Sequence, residues 1–87
     1  MLRLVEAAGA WCNAHAWSSA IGTAASLALT VSTPRSLLLE LKPLESPMQH
    51  ELVAEPFAHV GGTIAAPTGP GLGIEVDEAV VRRYELR

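Results

Sequence analysis

Two side chains of this sequence are suited to proton chemistry, His15 and Glu40. Each follows a short apolar run, so each is expected to lie at the end of a strand. An imidazole changes charge near neutral pH and suits general acid–base work, whereas a carboxyl group accepts or donates a hydrogen bond according to its surroundings. Both residues also have a purely structural interpretation. His15 could be an ordinary polar residue at a strand end, and Glu40 could form a salt bridge with Lys42 or Arg35.

The residues between these two side chains have the pattern of a helix. Ser18 or Ser19 is a suitable N-cap, and Pro34 ends the helix because it cannot continue one. Small and apolar residues recur between them at helical spacing: Ile21, Ala24, Ala25, Ala28, Leu29 and Ser32. Strands joined by a crossover helix are normally parallel, and parallel strands end at the same edge of their sheet. The sequence therefore predicts a strand–helix–strand unit that brings His15 and Glu40 to one edge.

The flanking segments are assigned from the same kinds of signal, and the fold class they indicate is α/β. Residues 1–8 have the pattern of an amphipathic helix ending at Gly9, and the run Leu37–Leu39 is typical of a strand covered on both faces. Beyond residue 41 the patterns predict a loop over 42–48, a helical turn within 49–54, a β-hairpin over 57–66 around Gly61-Gly62, a Gly/Pro loop over 67–73, and a short helix over 78–84 capped by Asp77.

Composition excludes several classes of function. The 87 residues carry a net charge of −3 and only six Lys and Arg, so the clustered positive charge that nucleic acids require is absent from the sequence. No apolar run approaches the roughly 20 residues needed to span a bilayer, so we expect no membrane partner and a cytoplasmic location. The single cysteine, Cys12, cannot form a disulfide within the chain. We expect it to be a buried thiol in a strand, and Trp11 to lie in the core.

Three stretches of the sequence resemble the mandelate racemase / muconate lactonizing enzyme branch of the enolase superfamily. They are His15-Ala16-Trp17-Ser18-Ser19 with Ala24-Ala25-Ser26-Leu27, then Leu39-Glu40 with Ser46-Pro47-Met48-Gln49-His50-Glu51-Leu52, and, most specifically, Pro67-Thr68-Gly69-Pro70-Gly71-Leu72-Gly73-Ile74-Glu75-Val76-Asp77. The resemblance implies a partial (β/α) barrel. Residues 1–41 would hold the last barrel elements: the end of the sixth helix, the seventh strand and helix, and the eighth strand. Residues 42–87 would form a C-terminal tail with the hairpin and the short helix.

The resemblance also implies roles for three side chains. His15 matches the histidine that removes the proton next to a substrate carboxylate, or that helps hydroxide to leave. Glu40 matches an acidic residue that donates a hydrogen bond to a carboxylate oxygen, a role that requires burial to keep the carboxyl group protonated. Trp17 would line the substrate pocket. On this basis the chain resembles part of an acid-sugar dehydratase or racemase.

The chemistry of that family uses Mg²⁺, whose three carboxylate ligands lie on barrel strands that this sequence does not contain. We therefore expect no metal to be bound by this chain alone, and no activity without the rest of the barrel. The alternative is a non-catalytic docking or oligomerisation module derived from such an enzyme. In both cases two strands with unpaired edges are marginal alone, so we expect self-association or docking to the missing part of the barrel.

Overall fold

The computed structural model describes residues 1–86, which form four helices and two short strands. In chain order these elements are α1 (Leu2–Ala7), β1 (His15–Ala16), α2 (Ala20–Val31), β2 (Glu40–Leu41), α3 (Pro47–His50) and α4 (Glu78–Arg83). The two strands pair in parallel, with His15 opposite Glu40 and Ala16 opposite Leu41. The predicted order of helix, strand, helix and strand is therefore present, as is the parallel pairing.

Helix α2 forms where the sequence predicts it, and Ser19 is its N-cap. Ser19 has extended backbone angles, and its side chain accepts a hydrogen bond from Gly22 N at 3.4 Å. The buried face of α2 consists of Ala20, Thr23, Ala24 and Leu27, which differs from the face that hydropathy alone suggests. Thr23 is polar but can lie on the buried face, because its hydroxyl is within hydrogen-bond distance of polar groups inside the protein.

The strands are shorter than predicted, and the predicted leucine strand is wrong. Leu37 and Leu38 are 69% and 68% exposed and lie outside β2. The Asn13 Oδ1 atom accepts hydrogen bonds from both Leu37 N (3.2 Å) and Leu38 N (3.3 Å). In a pleated strand, successive backbone groups face opposite sides, so one acceptor cannot hold two consecutive N–H groups. Strand pairing therefore begins only at Glu40.

Two further expectations near β1 are also wrong. Cys12 is only half-buried and precedes the strand, although its N–H donates to Arg35 O at 2.9 Å. Trp11 is exposed rather than in the core, and the Arg35 guanidinium lies 5.5 Å from the centre of its ring. A large aromatic side chain covered by a cation on one face can remain at the surface.

Helix α1 has no fully buried residue. The helix is followed by Gly9, whose φ of +65° fits the predicted role of a glycine just beyond a helix end. Thr33, at the C-terminal end of α2, donates from its hydroxyl to Glu6 Oε1 at 3.0 Å. Within the described residues this contact connects α1 to the strand–helix–strand unit.

The tail forms shorter elements than predicted. The turn at Gly61-Gly62 has positive φ at both residues (+58° and +80°), but only Val60 and Thr63 pair across it. The hairpin is thus limited to its turn. The predicted helical turn begins at Pro47 rather than Gln49. Asp77 caps α4 as predicted, because its side chain accepts from Ala79 N (2.8 Å) and Val80 N (3.3 Å).

The buried apolar residues come from both the first half of the chain and the tail: Ala16, Ala20, Ala24, Leu27, Leu52, Val53 and Val80. This core is small for the length of the chain. The radius of gyration is 14.3 Å, against about 12 Å for a compact chain of this length. The accessible surface is 6265 Å², against about 4,900 Å² for a typical monomer of this mass. None of the helices in residues 1–86 has the length and hydrophobicity to cross a bilayer.

Candidate functional site

His15 and Glu40 lie side by side on the two strands. They are direct partners in the parallel register, and the distance from His15 Nε2 to Glu40 Oε2 is 3.9 Å. Paired residues of neighbouring strands project from the same face of a sheet, and the next residue in each strand projects from the other. Ala16 is buried, whereas the His15 and Glu40 side chains are 71% and 50% exposed. The two ionisable groups therefore share one accessible face.

The position of the pair within the strands differs slightly from the expectation. His15 and Glu40 are the first residues of the two-residue strands rather than the last. The shared register, rather than the strand boundary, places the two side chains next to each other. The structure thus brings together two residues that lie far apart in the sequence.

Trp17 lies beside the imidazole. The ring centres of His15 and Trp17 are 5.9 Å apart with an angle of 24° between their planes, which is a stacked arrangement. The indole remains partly exposed. A stacked neighbour restricts the rotation of the imidazole while leaving an aromatic surface on which a ligand could pack.

The neighbours of Glu40 test the interpretation that it forms a salt bridge with Lys42 or Arg35. Within the described residues its carboxylate is not paired with Lys42 or Arg35, and its ionic neighbour is His15. Arg35 instead lies over Trp11 and reaches Gly9 O at 3.5 Å. The structural interpretation of Glu40 as a partner of either cation is therefore wrong. The burial that a hydrogen-bond-donating carboxyl group needs is not provided by residues 1–86.

Two hydroxyl groups of α2 contact the backbone of β1, and sequence reasoning missed both. Ser26 Oγ donates to His15 O at 3.3 Å, and Thr23 Oγ1 lies 3.5 Å from Ala16 O. The sequence does hold a signal for them, since the two hydroxyl residues stand three positions apart in an alanine-rich helix and therefore share a face.

The described residues do not fit a metal ion. Among residues 1–86 no group of three or more His, Cys, Asp or Glu side chains could hold one. His15 and Glu40 alone supply two ligands, fewer than the six oxygen positions that Mg²⁺ prefers. An open groove of about 700 Å³ lies elsewhere, between residues 53–58 and 64–75 of the tail, and its lining does not include His15 or Glu40.

The arrangement can carry out one kind of chemistry with its own groups. An imidazole and a carboxyl group 3.9 Å apart can contact adjacent atoms of one small substrate, so one can accept a proton while the other contacts a neighbouring oxygen. Both are open to solvent, and a substrate can therefore reach them.

Comparison with known families and proteins agrees with this description. The family model described as enolase C-terminal domain-like matches residues 1–80. A D-galactarolactone cycloisomerase of Agrobacterium fabrum (strain C58 / ATCC 33970) is 25% identical over 80 residues, covering 83% of this chain and 21% of that protein. A D-galactonate dehydratase family member of Streptomyces bingchenggensis (strain BCW-1) is 35% identical over 66 residues, covering 76% of this chain and 16% of that protein. No solved structure gives a significant match.

The chain spans about a fifth of the length of these curated relatives, or less. The family match nevertheless covers most of the chain and includes both strands and the helix between them. It confirms the resemblance to the enolase superfamily seen in the sequence. The chain belongs to the enolase C-terminal domain-like family.

Proposed function

We propose that this chain supplies the C-terminal part of the active site of a Mg²⁺-dependent acid-sugar dehydratase or racemase. The single observation that carries the proposal is the pairing of His15 with Glu40 across two parallel strands, with 3.9 Å between imidazole and carboxylate. Because the two strands are parallel and the two residues are register partners, both side chains lie on the same accessible face of the sheet.

In the proposed reaction, each residue acts on a different atom of the substrate. His15 Nε2 accepts the proton from the carbon next to the substrate carboxylate, and the electron pair of the broken C–H bond moves onto that carboxylate. Glu40 donates a hydrogen bond to a carboxylate oxygen, where negative charge increases. In dehydration, the protonated His15 then returns its proton to the departing hydroxide as water is formed. Trp17 packs against the sugar on the imidazole side.

The names of the relatives support the substrate class. One is a D-galactarolactone cycloisomerase and the other a D-galactonate dehydratase family member, so both names refer to acids or lactones derived from galactose. An aldonic or aldaric acid carries the carboxylate that the proposed roles of His15 and Glu40 require. We propose such an acid sugar as the substrate of the complete site.

The complete site needs groups that residues 1–86 do not supply. These residues have no cluster that fits a metal ion, so we propose that the Mg²⁺ ligands come from barrel strands outside this sequence. The large accessible surface supports this, since it exceeds the roughly 4,900 Å² of a typical monomer of this mass by about 1,400 Å², which is more than the roughly 800 Å² that one side of a standard protein interface buries. Covering Glu40 with the rest of a barrel would also provide the burial that its role requires.

The second candidate is a docking or oligomerisation module without catalysis. Its support is the exposure of Leu37 and Leu38, together with an apolar groove of about 440 Å³ that includes Leu27, Val31 and Ile64. An apolar surface of this kind marks an interaction site whether or not the partner completes an enzyme.

A complementation assay separates the two candidates. Dehydration and racemisation of galactonate and galactarate are measured with Mg²⁺, first with this chain alone and then with a polypeptide that supplies the other barrel strands. The D-galactonate dehydratase relative, truncated before the region that matches this chain, is a suitable source of that polypeptide. We expect turnover only in the mixture, and a loss of at least about 100-fold with His15→Asn, as is typical for removal of a proton-transfer group. Glu40→Gln should cause a smaller loss, because an amide N–H is a weaker donor to the developing negative charge than a carboxylic acid O–H.

The controls use the same substitutions at positions away from the pair. His59→Asn and Glu45→Gln change exposed side chains of the tail, and both should retain turnover. Stable binding to the complementing polypeptide without turnover would favour the docking module. Turnover by this chain alone would contradict the proposal that the metal ligands lie outside it.

A further inference from the structure

A buried polar contact connects strand β1 and helix α2 to helix α3, which follows β2 in the chain. Thr23 of α2 is fully buried, and Gln49 of α3 is 5% exposed. The Thr23 hydroxyl lies 3.1 Å from Gln49 Oε1 and 3.5 Å from Ala16 O. Ala16 belongs to β1, while Gln49 lies a few residues beyond β2 in the chain. The three residues therefore link β1, α2 and α3, and the loop over residues 42–46 joins α3 to the end of β2.

Counting donors and acceptors shows which group donates each hydrogen bond in this contact. A threonine hydroxyl has one proton, so Thr23 cannot donate to both Ala16 O and Gln49 Oε1. As oriented, Gln49 Nε2 is buried and has no hydrogen-bond partner among the described residues. The two ends of a glutamine amide have nearly the same shape, so their assignment follows from the hydrogen-bond network. Exchanging them places the N–H group against Thr23 Oγ1 and leaves the Thr23 proton free for Ala16 O. The unpaired group is then a carbonyl oxygen, which proteins tolerate better than an unpaired N–H.

Few other contacts fix the positions of the His15 and Glu40 side chains. The His15 and Glu40 side chains are largely exposed, so their separation is set by the backbone of two strands that are each two residues long. A two-stranded sheet of that length has little stability of its own. Any group that fixes β1 against the segment after β2 therefore also fixes the distance between imidazole and carboxylate.

We propose that Thr23 and Gln49 are positioning residues for His15 and Glu40. The Gln49 amide donates to the Thr23 hydroxyl, which donates to Ala16 O, and this relay holds β1 in register with β2. Ser26, which donates to His15 O, holds the neighbouring carbonyl in the same way. The kinetic part of the inference rests on the proposed function, whereas the structural part does not.

The structural part is tested by amide hydrogen exchange at residues 15–17 and 40–42, in the full chain with and without the complementing polypeptide. Thr23→Val keeps the shape of the side chain and removes the hydroxyl, and Gln49→Met removes the amide. Each should accelerate exchange about tenfold, the effect of losing one buried hydrogen bond. The double variant should be no more than about twofold faster than Thr23→Val, because the two residues belong to one relay.

Two matched variants control for non-specific damage. Thr23→Ser keeps the hydroxyl and should restore exchange to within about twofold of the wild-type rate. Thr30→Val removes a hydroxyl from the same helix, but that hydroxyl donates to Ser26 O within α2. It should leave exchange at the strands unchanged. Additive effects in the double variant, equal effects of Thr30→Val, or no protection of the strands when the wild-type chain is bound to the complementing polypeptide would each overturn the inference.

The kinetic part uses the active mixture. Thr23→Val and Gln49→Met should lower kcat about tenfold with KM changed less than about twofold, because displaced proton-transfer groups slow the chemical step while the sugar still binds. Thr23→Ser should restore kcat. A rise in KM with unchanged kcat would show that the relay serves binding instead, and would overturn the positioning role. If the wild-type mixture is inactive, the proposed function fails, and the exchange measurements alone decide on the relay.

Discussion

His15 and Glu40 show what residue-level reasoning can and cannot reach. The types of the two residues and their places after apolar runs are visible in the sequence, and the crossover rule predicts that they meet at one edge. Their separation of 3.9 Å depends on a one-residue register that hydropathy does not encode. The stacking of Trp17 on His15 was equally hidden, because it depends on side-chain rotation rather than spacing.

Trp17 offers a prediction at the same scale. In the active mixture, Trp17→Ala should lower kcat/KM about three- to tenfold, the range expected when an aromatic contact of about 0.5–1.5 kcal/mol is lost. Trp17→Phe should retain most of the activity, because a smaller ring can still stack on the imidazole. Steady-state kinetics on galactonate provide the measurement. Trp11→Ala is the matched control, since Trp11 stacks with Arg35 rather than His15. An effect of Trp11→Ala as large as that of Trp17→Ala would contradict the assignment.

At the scale of elements, helix ends were easier to predict than strands. Ser19, Pro34 and Asp77 act locally, through one side chain or one ring, so their effects are visible in a short window of sequence. The leucine strand was predicted from apolar character alone, and a single side-chain amide from elsewhere in the chain prevents it. The hairpin was predicted from its glycine turn, but a turn does not guarantee the ladder that follows it.

The Ser19 cap gives the prediction that belongs to helix α2. Ser19→Ala removes the acceptor for Gly22 N and should destabilise the first turn of α2 by about 1 kcal/mol. This loss should appear as faster amide exchange at Gly22 and Thr23, whose N–H groups donate to Ser19. Ser18→Ala serves as the control, because the capping acceptor is Ser19 and not Ser18. Equal exchange rates in the two variants would show that the cap contributes nothing measurable.

At the scale of the whole molecule, the excess of accessible surface is the dominant feature. A radius of gyration of 14.3 Å and exposed leucines at positions 37, 38, 44 and 86 describe a chain that has not buried its apolar groups. The low number of strands predicts that the chain leaves surface uncovered, because two strands have unpaired edges. The location of this uncovered surface could not be predicted, because it depends on which leucines the strands fail to bury.

We expect the isolated chain to self-associate or to remain loosely packed. Light scattering after size exclusion should show species larger than 9.2 kDa, and calorimetry should show no sharp transition. Leu37→Lys with Leu38→Lys should shift the distribution toward monomer, because charge on an exposed apolar surface opposes association. Leu44→Lys with Leu86→Lys adds the same two charges to exposed leucines of the tail and serves as the control for net charge alone. A monodisperse wild-type monomer that unfolds cooperatively would contradict this expectation.

The amide of Asn13 determines what form such association can take. Amyloid-like growth requires free backbone N–H groups that a neighbouring chain can use to extend a sheet. In the most apolar stretch of this protein, two of those groups already donate to one oxygen of Asn13. Chains that meet there must therefore join through leucine side chains, so the infrared amide band of the assemblies should lack the signature of intermolecular β-sheet. We therefore expect Asn13 to oppose fibril formation by occupying these two N–H groups.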